Sequence, residues 1–127
     1  MIRVWINGVY DNGLHAGHIE LIKYAHSLGD IVAAGIDSNI RVSFNKVIER
    51  PLLDEKKRAK ILLDTGLIAD VKIFKTDREL ERLIKEYKPD IFVIGSDYRG
   101  KKIIGGKYAK EIVYFTRIDG YSTTEIL

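Results

Sequence analysis

Cysteine is absent from the 127 residues. That excludes disulfides and thiolate metal sites and fits a reducing, cytoplasmic setting. No apolar run approaches the roughly 18 residues of a membrane span. The opening MIRVWING passes straight into a strand-like run, without the long apolar stretch of a secretory leader, so no signal peptide is expected. Excess charge of one sign is also scarce: 21 basic and 18 acidic side chains leave a formal net charge of +3. This is too little to argue for a nucleic-acid-binding surface, yet it is compatible with a local basic site for a polyanionic small molecule. There is no G-x-x-x-x-G-K-[ST] loop, no G-x-G-x-x-G fingerprint and no G-x-S-x-G elbow. P-loop kinases, standard dinucleotide-binding domains and serine nucleophiles of the elbow type are therefore unsupported. No repeat, low-complexity tract or interdomain linker interrupts the chain.

What is present is an ordinary globular balance, 46% hydrophobic and 31% charged residues, at a length that suits one domain spanning residues 1–127. Strand-like and helix-like segments alternate. Ile2 to Ile6 alternates apolar and polar residues. Gly17 to Leu28 carries Ile19, Ile22, Ala25 and Leu28 at helical spacing and stops at Gly29-Asp30. Ile31 to Ile36 is a short apolar run bounded by aspartates, as in a strand buried on both faces. Ser38 to Pro51 has no clear period and reads as a loop. Asp54 to Asp64 reads as a helix with acidic residues in its first turn. Val71 to Phe74 is a third strand, and Asp77 to Tyr87 a helix capped by Thr76 or Asp77. Ile91 to Ile94 and Ile112 to Phe115 are two further strands, separated by a glycine-rich, basic loop over Gly95 to Lys107. Ser122 or Thr123 is placed to cap a short final helix. The alternation predicts an α/β fold: a single Rossmann-like domain with a five-stranded parallel sheet and helices on both faces. Ligands in such sheets bind beyond the carboxyl ends of the strands, near the switch point in strand order.

Four constellations fall where that rule expects a site. The first is Asn7-Gly8-Val9-Tyr10-Asp11 followed by His15-Ala16-Gly17-His18, which joins the first strand to the first helix. A helix N-terminus offers unpaired N–H groups and partial positive charge to phosphate, and Gly8 and Gly17 allow close backbone approach. Two histidines three apart share a helical face and can donate to phosphate oxygens as charge develops. Taken alone, each would more often be an ordinary surface histidine. Metal ligation is the weaker reading, since the only other histidine, His26, lies further along the helix. The second is Ser122-Thr123-Thr124, either a plain helix cap or an anion site. The third is the basic set Lys46, Arg58 and Arg117, any one of which alone reads as a solvated side chain. The fourth is Gly95-Ser96-Asp97-Tyr98. Here Asp97 either caps the turn or takes ribose, sugar hydroxyls or a magnesium-bound water.

Together these motifs resemble the HxGH nucleotidyltransferase superfamily in its cytidylyltransferase-like branch, and the resemblance covers nearly the whole chain. NGVYD, HAGH, Arg50-Pro51 with a helical arginine, GSDY and RIDGYSTT stand in family order. The NGVYD start, Arg50-Pro51, GSDY and Ile103-Ile104-Gly105 are similar to the adenylyltransferase domain of heptose-phosphate enzymes. Arg117 to Thr124 is similar to the ending of glycerol-3-phosphate cytidylyltransferase. The resemblance implies transfer of AMP or CMP from ATP or CTP to a sugar phosphate or polyol phosphate, with pyrophosphate released. It favours a heptose 1-phosphate type of acceptor over glycerol 3-phosphate. It further implies that His15, His18, Lys46, Arg58 and Arg117 stabilise the transition state. Gly8, Val9, Tyr10, Asp11, Gly17, Gly95, Asp97, Ser122 and Thr123 would hold the nucleotide. Magnesium (Mg2+) would bridge the phosphates, no residue set would form a metal site of its own, and the protein would be a homodimer. One departure stands out. Three residues, Asn12, Gly13 and Leu14, separate Asp11 from His15 where the family usually has two, and Gly13 is suited to absorb the extra one in a tight turn. Failing that, the domain would read as a nucleotide-binding module without turnover.

Overall fold

The computed structural model describes residues 1–10, 13–45 and 53–116, except for the side chains of residues 44 and 45. Five strands, β1 (Arg3–Gly8), β2 (Ile31–Asp37), β3 (Asp70–Phe74), β4 (Ile91–Gly95) and β5 (Glu111–Phe115), form one sheet. Their order is β3-β2-β1-β4-β5, with every neighbouring pair parallel. The helices are α1 (Ala16–Leu28), α2 (Asn39–Asn45), α3 (Glu55–Asp64) and α4 (Asp77–Tyr87). Among the described residues, no helix is long and apolar enough to cross a membrane.

The two-residue period of the strands divides the core between two layers. Val4 and Ile6 of β1 face one side, with Ile22 and Ala25 of α1 and Leu62 of α3. Trp5 faces the other, with Leu80 and Ile84 of α4. Burial on both faces explains why β2 is a continuous apolar run. The helix starts are set by polar side chains. Asp54 accepts the Lys56 amide at 3.0 Å, and Thr76 accepts the Glu79 amide at 3.1 Å. Thr76 is thus the cap of α4, and Asp77 its first residue.

One stretch differs from the sequence expectation. Ser38 to Pro51 reads as a loop, yet residues Asn39–Asn45 form α2. Ser38 starts it, its hydroxyl accepting the Arg41 amide at 3.1 Å and its carbonyl the Val42 amide at 3.1 Å. Glu55 of α3 accepts the Asn39 amide at 2.9 Å. The helix is held by its cap, by α3 and by Val42, the one buried residue among its described side chains, so no period marks it.

The chain moves outward from β1 to β2 and β3, then returns to lay β4 on the other flank of β1. The order therefore reverses between β1 and β4, and a crevice opens beyond their carboxyl ends.

Candidate active site

A cavity of about 650 Å³ occupies that crevice, within the usual range for small-molecule sites. Its floor is Asn7, Gly8, Val9 and Tyr10 at the end of β1 and Ile94 and Gly95 at the end of β4. His15 and His18 stand over it at the start of α1, and Asp37 and Arg41 close one side.

The histidines form the N-terminal cap of α1. His15 is the capping residue, and its Nδ1 accepts the Gly17 amide at 3.1 Å. His18 Nδ1 accepts the His15 amide at 3.3 Å. Each ring thus uses Nδ1 as an acceptor, and in the neutral form its proton belongs on Nε2, the nitrogen able to donate to a ligand. The two rings stack with centroids 3.7 Å apart, and Tyr10 meets His18 edge-on at 4.8 Å. The cap fixes the rings at the positive end of the helix dipole, a ready anion site.

Two described residues before the cap, Tyr10 and Gly13, have positive φ. Tyr10 is buried with φ of 55°, Gly13 has φ of 88°, and the Gly13 amide donates to the Tyr10 carbonyl at 3.0 Å. Gly13 is therefore in a left-handed conformation that suits glycine. Gly8 is required for a different reason: a Cβ there would overlap the Tyr10 ring.

At the β2 side, Asp37 ends its strand and Arg41 follows one helical turn later. Arg41 Nε donates to Asp37 Oδ2 at 2.8 Å, and its Nη2 donates to Asp77 Oδ1 at 2.6 Å. The guanidinium lies 5.0 Å from the centre of the Phe74 ring. Burial pushes the Asp37 carboxyl above its ordinary range, outweighing the Arg41 bond that draws it down. Burial also acts against the Arg41 charge, but the bonds to Asp77 and Asp37 prevail and raise its value.

Comparison with known proteins bears directly on this geometry. The cytidylyltransferase-like family matches residues 5–127. The chain belongs to the cytidylyltransferase-like family. It is by that membership a nucleotidyltransferase domain. The bifunctional protein HldE of Helicobacter pylori strain Shi470 is 40% identical over 124 residues, 98% of this chain and 26% of the relative. HldE of Campylobacter concisus strain 13826 is 38% identical and that of a Nitratiruptor species is 39% identical, with the same coverage. The chain thus spans about a quarter of the length of the curated relatives it matches. Among solved structures, the lipopolysaccharide core biosynthesis protein from Thermoplasma volcanium GSS1 superposes with a TM-score of 0.72 at 24% identity. It covers 94% of this chain and 99% of that one, a likeness of fold.

In this cytidylyltransferase-like domain, Gly8, Val9, Tyr10, His15, His18, Gly95 and Asp97 all line the cavity. Gly17 sits just behind them as the donor to His15. Asp97 curls back over Gly95, where a Cβ would come within 2.6 Å of its carboxylate oxygen. Asp11, Lys46, Arg117, Ser122 and Thr123 lie outside the described residues.

Arg58 is not a cavity-lining residue. It is fully buried and donates to the carbonyls of Leu53 (2.9 Å), Val9 (2.8 Å) and Asp37 (2.7 Å) and to Asn39 Oδ1 (2.7 Å). It ties α3 and the start of α2 to the ends of β1 and β2, a strut beneath the site. Sequence reading passed over Asp37, Arg41, Phe74 and Phe115, all of which line the cavity. The available signal was positional: Asp37, Phe74 and Phe115 each end a strand whose carboxyl edge was already the expected site.

Proposed function

We propose that the domain transfers AMP or CMP from ATP or CTP to a phosphorylated sugar or polyol and releases pyrophosphate. Adenylyl transfer to a heptose 1-phosphate type of acceptor is the leading reading, and cytidylyl transfer to glycerol 3-phosphate the alternative. The observation that carries the proposal is the pair of stacked histidines capping α1 over the switch-point cavity. The similarity to HldE over 98% of the chain favours the heptose acceptor.

An oxygen of the acceptor phosphate attacks the α-phosphorus. A new P–O bond forms, the bond from the α-phosphorus to the bridging oxygen breaks, and pyrophosphate leaves with that electron pair. No side chain needs to become covalently attached. His15 and His18 donate from Nε2 to phosphate oxygens as charge builds on them, and the amides of the first turn of α1 hold the phosphate in place. Lys46 and Arg117 add positive charge on the family resemblance, and Arg58 acts by holding the β1 and β2 ends in position.

Magnesium, when bound with the triphosphate, would supply positive charge that offsets the phosphates. Among the described residues no three histidine or carboxylate groups converge on a possible metal position. The ion is proposed to arrive on the triphosphate, because magnesium usually keeps waters and phosphate ligands instead of an all-protein cage. The reaction is assigned to the cytoplasm, where its nucleotide is supplied, and the protein to a homodimer. Sedimentation velocity tests the dimer.

The deciding experiment measures pyrophosphate release with magnesium, pairing ATP and CTP with heptose 1-phosphate and glycerol 3-phosphate. Turnover with ATP and heptose 1-phosphate is the expected result. Turnover only with CTP and glycerol 3-phosphate moves the assignment to the alternative, and nucleotide binding with no turnover in any pairing overturns the transfer reading.

A further inference from the structure

We propose that Asp37 reads the hydroxyl groups of the acceptor, in a geometry fixed by Arg41 and Asp77. The inference rests on the transfer reading above and assigns one end of the same cavity. Asp37 is the last residue of β2, and its side chain is 16% exposed. One of its oxygens, Oδ2, takes the Arg41 bond. A carboxylate has about four acceptor positions, so capacity remains for ligand hydroxyls. Arg41 is held in turn by Asp77, the first residue of α4, and by its place over Phe74. The carboxylate is therefore preset by a charged chain that runs from one helix to the next, the arrangement a site needs to discriminate hydroxylated ligands.

The sheet order decides which substrate meets it. Adjacent strands lie about 4.8 Å apart. The phosphate-binding start of α1 follows β1, with β2 on one flank and β4 and β5 on the other. The β4–β5 end of the cavity presents Tyr98, Ile103, Ile104 and Phe115 together with Asp97 and Lys102. Aromatic and aliphatic surface beside the Asp97 carboxylate and the Lys102 ammonium suits a base, its ribose and the phosphate joined to it. The β2–β3 end presents the Asp37–Arg41 pair, which suits a polyol that must displace its own water. Base and acceptor have to flank the α-phosphorus, so the Asp37–Arg41 end, which lacks the apolar stretch of Tyr98, Ile103, Ile104 and Phe115, falls to the acceptor. Burial holds the Asp37 carboxyl above its ordinary range. A charge kept where burial opposes it is more often found at functional sites.

The test is steady-state kinetics of pyrophosphate release for the full chain, varying acceptor and ATP separately, in wild type, Asp37→Ala and Asp77→Asn. Losing a charged hydrogen bond corresponds to about a 10–100-fold effect. Asp37→Ala should raise the acceptor KM by about that factor while the ATP KM stays within about twofold. Asp77 is 66% exposed at its side chain and so tolerant of change. Asp77→Asn should give a smaller rise in the same parameter, which a purely structural role would not confine to one substrate. A rise in the ATP KM with the acceptor KM unchanged would place Asp37 at the nucleotide and overturn the proposal, leaving the transfer reading intact. A wild-type protein without turnover on any acceptor overturns both.

Discussion

At the scale of single residues, the two histidines carry separable duties. His18 Nδ1 holds the cap by accepting the His15 amide, whereas its proposed catalytic work belongs to Nε2. His18→Gln separates them, because glutamine at the third helical position can still reach the capping amide but has no imidazole. Turnover should fall by about 10²–10³-fold, the range for losing one transition-state donor, while the melting temperature stays near that of wild type. His18→Ala should lose turnover and some stability together. Pyrophosphate kinetics beside thermal melts check this, and an active His18→Gln would remove the histidine from the mechanism. Gly8 offers a second, indirect handle. A Cβ at that position overlaps the Tyr10 ring, and that ring sits edge-on against His18. Gly8→Ala should therefore displace the histidine through tyrosine and lower kcat by about 10–100-fold, with His18 shifts in an NMR spectrum reporting the movement.

At the scale of elements, Arg58 is the residue on which the site's support converges. Its guanidinium satisfies three carbonyls and Asn39 from four different segments. Arg58→Met leaves those half-buried acceptors without a charged donor, at up to about 1–3 kcal/mol for each group left unsatisfied. A loss of at least about 3 kcal/mol in urea denaturation is expected. Arg58→Lys should recover only part of it, since an ammonium cannot reproduce the planar fork. A variant as stable as wild type would show that the strut is dispensable. This element also marks where sequence reading stops. α1 was legible from its apolar spacing and its stop, α3 and α4 from their acidic first turn or cap, β1 from its alternation, and the other strands as short runs between breakers. α2 was not, because its start depends on Ser38 and on Glu55 from a distant helix. Arg58 sits on a helix like any solvated arginine, and only the packing of α3 over the strand ends turns it inward.

At the scale of the whole molecule, the candidate site was legible where local chemistry announces it and hidden where topology makes it. Glycines and paired histidines at a strand-to-helix junction carry their own signal. Asp37 and Arg41 do not, since their importance comes from β2 lying beside β1 in a sheet whose order a single chain does not display. The same topology decides how the fold answers acid. Asp90 lies just before β4 and accepts the Arg3 amide at 2.8 Å and Lys110 Nζ at 3.1 Å, joining the entrances of β1 and β4 to the start of β5. The Arg3 amide first, then Lys110, holds its carboxyl below the ordinary range. Asp54 is likewise lowered, by Asn39 first and then by the Lys56 amide that it caps. A carboxylate lowered in the folded state contributes stability that is fully present above its unfolded value, about 3.9. That contribution is lost as pH falls through the lower folded value. Asp37 runs the other way: its raised value means that its ionisation costs stability as pH rises. The Asp90 and Asp54 contributions are therefore lost below about pH 4, where the cost of ionising Asp37 is relieved. Asp90→Asn isolates one contribution. It should lower the urea midpoint at pH 7, and the gap from wild type should narrow steadily as the pH is taken below about 4. A gap that stayed constant across that range would mean that the Asp90 charge does not hold the strand entrances together, and that the amide contact alone does.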